Sequence, residues 1–316
     1  MPHALLLHGP EGIGKTWLAA RLSMRLLCET EKAALDPCGR CDACKWVLAG
    51  THPDLRWVEP DAVAIASGRY DDSESAESPR ASRAAKPSQE IRIEQVRALA
   101  GFLNVGSHRG ARRVAIVQPA ETLNANSANA LLKSLEEPPG SATFILVSHE
   151  PARLLPTIRS RCLSIGFEAP PAREASAWLA AQGAPDAEKW LRFWGGAPFK
   201  AAETGEGANG KRIRGLLDAL EHADWQALEE GMDREGMELL VATTQKFALD
   251  RALEAAGGET RFGTRFKPGR GGSGTSAGWL ELARKLGPLR ALARHPLNPA
   301  LFSKDVTSMI RHASKS

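Results

Sequence analysis

A chain of 316 residues is too long for one small core, and two or three domains are the expectation. Its 43% hydrophobic and 25% charged residues fit a globular protein, and no apolar run approaches the ~18 residues of a membrane span. Net charge is only +4, but from Arg261 to Ser316 eleven Lys or Arg stand against Glu281 and Asp305, a basic stretch that suits a solvated surface, nucleic acid or an acidic partner.

The N-terminus MPHALLLHGP has no room for a secretory signal before its first motif, so a reducing, cytoplasmic compartment is expected and cysteines read as thiols or metal ligands. ALLLH, residues 4 to 8, predicts a buried strand. It runs into GPEGIGKT, residues 9 to 16, and Leu18, Leu22 and Leu26 then mark one face of a helix. In such a loop Gly9, Gly12 and Gly14 let backbone N–H groups turn inward around phosphates. Lys15 reaches the terminal phosphates and Thr16 offers its hydroxyl to Mg²⁺. The plainer alternative is a glycine-rich turn with no ligand.

Cys28, Cys38, Cys41 and Cys44 follow with spacing C-x9-C-x2-C-x2-C. Four converging thiolates complete a tetrahedral zinc shell with no open position, so the ion would be structural; an iron–sulphur cluster and unligated thiols are the alternatives. Cys162 stands apart and reads as a small packed residue. His52 and Asp54 in THPD have no nucleophile beside them and read as turn and packing residues. Residues 61 to 89 are rich in Ser, Ala and charge, and predict a disordered insertion.

Ile93, Val96, Leu99 and Leu103 predict a helix, residues 113 to 118 a strand, Ala128, Leu131, Leu132 and Leu135 another helix ended by Pro138-Pro139, and TFILVS, residues 143 to 148, a strand. Strands alternating with helices predict a parallel sheet covered on both faces. Where nucleotide-hydrolysing folds place two acidic residues, the strand at 113 to 118 ends in Gln118-Pro119. Hydrolysis asks for an acidic residue beside the metal and a group that orients water. Gln118 brings no charge, and Glu121, past a proline, is the nearest substitute base. After about Gly166 the pattern turns helical through the linker FEAPPARE, with Gly-rich GEGANG before the helices from about 211 and a flexible break at GRGGSGTSAG, residues 269 to 278.

GPEGIGKT, the four-cysteine insertion, GTHPD, SANALLKSLEEPP (127 to 139) and TIRSRC (157 to 162), in that order, resemble the delta-prime clamp-loader subunits of bacterial DNA polymerase III. The resemblance covers about residues 3 to 205 and, more weakly, HPLNPALF. It implies an α/β module of the AAA+ class over residues 1 to 166, a small helical lid over 167 to 205 and an all-α collar over 206 to 316. It also implies partners: the gamma/tau motor subunits, a delta subunit, and indirectly the sliding clamp and primed DNA. Relatives that hydrolyse ATP carry Asp-Glu in place of Gln118-Pro119, so the resemblance implies a stator that holds ATP or ADP with Mg²⁺ and does not turn it over.

Ser160-Arg161-Cys162 keeps the arginine that, in this family, projects into the neighbouring subunit's nucleotide site; an ordinary surface ion pair is its alternative. Phe199 falls where hydrolysing relatives sense nucleotide with an arginine, with Lys200 beside it as a partial replacement. Relatives carry about a helix more before the first strand, so the resemblance implies either a truncated start or a missing contact there. Two other readings compete: an autonomous AAA+ ATPase using Glu121, and a zinc-containing DNA-binding protein acting through its basic end.

Overall fold

The structure, a computed structural model, describes residues 2–30, 36–69, 87–105, 112–230, 232–267, 274–293 and 297–315. They fall into two units, Met1–Glu168 and Ala169–Ser316. In the first, β1 (Ala4–His8), β2 (Leu55–Val58), β3 (Arg113–Val117), β4 (Ala142–Ser148) and β5 (Leu163–Gly166) form one sheet in the order β2-β3-β4-β1-β5. Every pairing is parallel.

Successive strand side chains point to opposite faces, and both faces here are covered, so the strands read as continuous apolar runs. Leu6, Ala115, Val117, Phe144 and Leu146 pack on one face against α4 (Ile93–Asn104) and α5 (Ala125–Glu136), through Val96, Leu99, Leu131 and Leu135. Leu7, Val114, Ile116, Ile145 and Val147 pack on the other against α1 (Lys15–Leu27). Leu18, Leu22 and Leu26 do touch that face, but the fully buried stripe of α1 is Ala19, Ser23 and Leu27, whose two small members let the helix sit close.

The register brings the strand ends together: His8 lies beside Ser148, and Val58 beside Val117. The residues that follow these ends, Gly9, Glu59, Gln118 and His149, therefore share the carboxyl edge of the sheet, where open α/β sheets place ligands.

The insertion read as disordered from 61 to 89 is corrected at both of its ends. Residues Asp61–Ala66 form α3, following α2 (Asp42–Ala49) and β2 in the chain, and Asp61 accepts hydrogen bonds from Arg92 at 2.9 Å, which ties the two ends together. Ala-rich composition, counted as having nothing to bury, is also good helix composition. Residues 70–86 lie outside the described part. Two short strands, β2 and β5, carry no legible alternation: β2 contains Arg56, and β5 is exposed along its length. After β4 the chain passes through α6 (Pro156–Arg161) to β5.

The second unit is helical: α7 (Ala172–Ala181), α8 (Ala187–Phe193), α9 (Pro198–Glu206), α10 (Ala208–Glu221), α11 (Trp225–Glu229), α12 (Arg234–Ala255), α13 (Ser276–Leu292) and α14 (Pro299–Ala313). It holds two apolar clusters that share α10, with Ile213 in the one built on Leu179, Trp190 and Phe193, and Leu220 in the one built on Phe247, Trp279 and Ile310. The break expected over 269–278 is corrected at its end, because Ser276 already begins α13 and bonds to the Ala252 carbonyl at 2.9 Å; residues 268–273 lie outside the described part. Among the described residues no helix is long and apolar enough to cross a membrane.

Candidate functional site

The phosphate loop joins β1 to α1 at the carboxyl edge of the sheet. Gly9, Gly12 and Gly14 have φ of 144°, 78° and 99°, conformations that side chains disfavour. At Gly9 the reason is also steric: an added Cβ would stand 2.1 Å from the Phe167 carbonyl oxygen, because the chain after β5 runs directly against the loop. Lys15 is 3% exposed, and its Nζ donates to the carbonyls of Gly9 at 2.8 Å and Pro10 at 2.5 Å. Its ammonium thus sits inside the loop that α1 extends, and the first turn of α1 carries no acidic residue to oppose an anion. Three inward-turned glycines, a seated lysine and a helix N-terminus fit a phosphate chain.

The adjoining corner fits a metal badly. Thr16 Oγ1 donates to Gln118 Oε1 at 2.7 Å, and Gln118 Nε2 donates to Glu59 Oε2 at 3.0 Å. Glu59 is 3% exposed and receives both arms of the Arg69 guanidinium, each at 2.9 Å. In this network the hydroxyl meets an uncharged amide, and the carboxylate behind it is already paired with a cation. Mg²⁺ asks for hard, preferably anionic oxygens, and the network from Thr16 to Arg69 presents none uncommitted. Glu121 Oε1 accepts from the backbone N–H of His149 at 2.9 Å, while its Oε2 is buried with no hydrogen-bond partner among the described residues.

The four cysteines come together as expected. Their Sγ atoms all lie within 4.8 Å of one another, with Cys28–Cys41 at 4.0 Å and Cys38–Cys44 at 3.9 Å. A tetrahedral zinc with Zn–S of about 2.3 Å has sulfur–sulfur edges of about 3.8 Å, so the cluster fits that ion with little adjustment. Backbone N–H groups of Cys38, Cys41 and Cys44 point at the sulfurs of Cys28, Cys38 and Cys41, at 3.4 to 3.5 Å. Such bonds from Arg40 and Cys41 hold the Cys38 thiol down at about 5, while burial pushes Cys44 up to about 12. Cys162 packs half-buried beside the sheet core, and burial raises its thiol to about 11, as an inert packed residue requires.

Arg161, the last residue of α6, is 36% exposed and pairs with Glu136, the last residue of α5, at 2.5 Å, and also donates to the Thr157 carbonyl at 3.2 Å. Its ion-pair partner within the chain is therefore the first glutamate of SLEEPP. His52 and Asp54 are structural: the His52 ring accepts from the Asp54 N–H at 3.0 Å and stands edge-on to Trp46, and Asp54 faces buried Arg113 at 3.5 Å. In the second unit Phe199 stacks on Trp178, and the Lys200 ammonium lies 4.7 Å from the Trp194 ring centre. Glu59 and Arg69 escaped the sequence reading: no motif frames Glu59, and Arg69 lies in the stretch read as disordered.

The sequence profile of the family described as "DNA polymerase III, delta subunit" matches residues 1–171. The chain belongs to this family. Within it the chain is similar to the delta-prime subunits of Pseudomonas aeruginosa, 42% identical over 67% of this chain and 58% of that one, and of Escherichia coli K12, 31% identical over 74% and 64%. It thus spans less than two thirds of the length of these delta-prime relatives. It is also 34% identical to E. coli DNA polymerase III subunit tau over 53% of this chain and 22% of tau. Among solved structures, a DNA polymerase III gamma-subunit-related protein of Thermotoga maritima shares the fold, with a TM-score of 0.50 at 16% identity, covering 99% of this chain and 96% of that one. The parallel sheet, the phosphate loop and the following helices make this delta-prime family member an AAA+ protein in fold.

Proposed function

We propose that this chain is a stator of the DNA polymerase III clamp loader: it holds nucleotide without hydrolysing it and lends Arg161 in trans to a neighbouring gamma/tau ATPase subunit during sliding-clamp loading on primed DNA. One observation carries the reading. Gln118 occupies the place of a metal-binding acid, and its amide is held between Thr16 and Glu59, so the grip on phosphate is kept while the groups for its cleavage are missing. The exposure of Arg161 at the end of α6 supports a role outside its own chain. In this reading Gly9, Gly12, Gly14, Lys15 and Thr16 hold the nucleotide, and Cys28, Cys38, Cys41 and Cys44 hold one structural zinc. Residues 167–205 act as the lid and 206–316 as the collar that packs with sister subunits, including delta, in the bacterial cytoplasm.

The test is reconstitution with the motor and delta subunits. Arg161→Ala is expected to lower DNA-stimulated ATP turnover of the complex by ~10³, the worth of an arginine finger, whereas Lys15→Ala changes it little. Equal and severe losses, or brisk Mg²⁺-dependent phosphate release by the isolated chain, contradict the reading.

A further inference from the structure

We propose that Glu59, clamped by Arg69, is a positioning residue for Gln118, and that the pocket shaped in this way takes the phosphates of a nucleotide without a divalent cation. The inference rests on the nucleotide-holding reading above and revises the expectation that Mg²⁺ accompanies the ligand.

An amide side chain has one acceptor end and one donor end. With Nε2 donating to Glu59 Oε2 at 3.0 Å, only Oε1 is left to face Thr16, where it takes the hydroxyl hydrogen at 2.7 Å. Turning the amide over would set its oxygen against a carboxylate oxygen, a contact with no hydrogen between them. Glu59 therefore decides which end of Gln118 meets the phosphate loop. Glu59 is in turn fixed: both oxygens take guanidinium hydrogens from Arg69, the Ser67 hydroxyl stands 3.5 Å away, and Gln95 donates to its backbone carbonyl at 2.9 Å.

Arg69 reaches the site because α3 ends in a left-handed glycine. Gly68 has φ of 68°, and the Arg69 N–H returns to the Ala64 carbonyl at 2.9 Å, which folds the side chain back over the Trp57 ring at 4.4 Å. The negative charge nearest Gln118 is thus cancelled by a cation on its far side. A dication entering this corner would meet no net negative charge from the Glu59–Arg69 pair and the positive Lys15 beyond it. A nucleotide's phosphates, by contrast, find their counter-charge in Lys15 and the start of α1.

The test is equilibrium binding of ADP and ATP by the 316-residue chain, by titration calorimetry, in EDTA and in MgCl₂. Affinities are expected to agree within about threefold, well under the tenfold that 1.4 kcal/mol represents. Binding that tightens by about tenfold or more with Mg²⁺ overturns the inference and leaves the nucleotide-holding reading standing; binding in neither buffer overturns both. A second arm exchanges the two side chains as Glu59→Gln with Gln118→Glu, which keeps their combined size, leaves Arg69 one acceptor in place of two, and moves the negative charge beside Thr16. That variant, shown to be folded by its thermal transition, is expected to prefer Mg²⁺-nucleotide by about tenfold. A folded exchange variant indifferent to Mg²⁺ also overturns the inference.

Discussion

The phosphate loop and the corner beside it sit at neighbouring strand ends and obey different rules. In the loop every special feature serves an anion: left-handed glycines, a buried lysine, a helix start without acids. In the corner one chain of polar groups is already partnered inside the protein, from Thr16 through Gln118 and Glu59 to Arg69. In the proposed reading, gripping a nucleotide and cleaving it are separable properties of one sheet edge, the second opposed by groups paired within the chain.

The sharpest way to break the comparison is to open the corner. Arg69→Ala leaves Glu59, 3% exposed, without its cation, and should destabilise folding by about 3 kcal/mol, the low end for a buried pair because the Arg69 side chain is itself 27% exposed. Urea unfolding reads this directly; a loss below about 1 kcal/mol would mean the clamp is slack. On the loop side, Lys15→Ala should weaken ADP binding ~100-fold, about 2.7 kcal/mol, in a calorimetric titration, with a folded chain as its control. Gly9→Ala forces a Cβ to within 2.1 Å of the Phe167 carbonyl at a φ of 144°, and is expected to cost about 2 kcal/mol by thermal unfolding, loosening the loop's contact with the chain after β5. The smallest effect belongs to Arg161→Ala: its pair with half-exposed Glu136 is worth about 0.5 kcal/mol, so the melting curve should barely move. A large shift there would make Arg161 a structural residue and weaken its role toward a neighbour.

Much of this was legible beforehand. The glycines and Lys15 announce their geometry through spacing, because a backbone cradle needs fixed residue types at fixed intervals, and the cysteines converge as their spacing requires. The apolar runs of β3 and β4 are long enough to declare buried strands. The corner was legible only in half. Gln118 stands out as a missing charge, but its partners lie 59 positions away at Glu59 and, beyond a turn, at Arg69, and such a pairing is created by parallel register rather than by local pattern. Composition misled at α3, where small and charged residues form a short helix whose closing glycine delivers the arginine.

The cysteine cluster has one further consequence. The Cys41 sulfur accepts the Cys44 N–H and so opens α2, while Val47 on the same helix leans on the back of the sheet. One atom is both a proposed metal ligand and the stitch that starts a helix. If the cluster holds zinc as proposed, oxidant or chelator that strips the ion would unpick those eight residues from their first turn and expose apolar sheet surface, making the reducing power of the surroundings a condition for keeping the α/β unit intact.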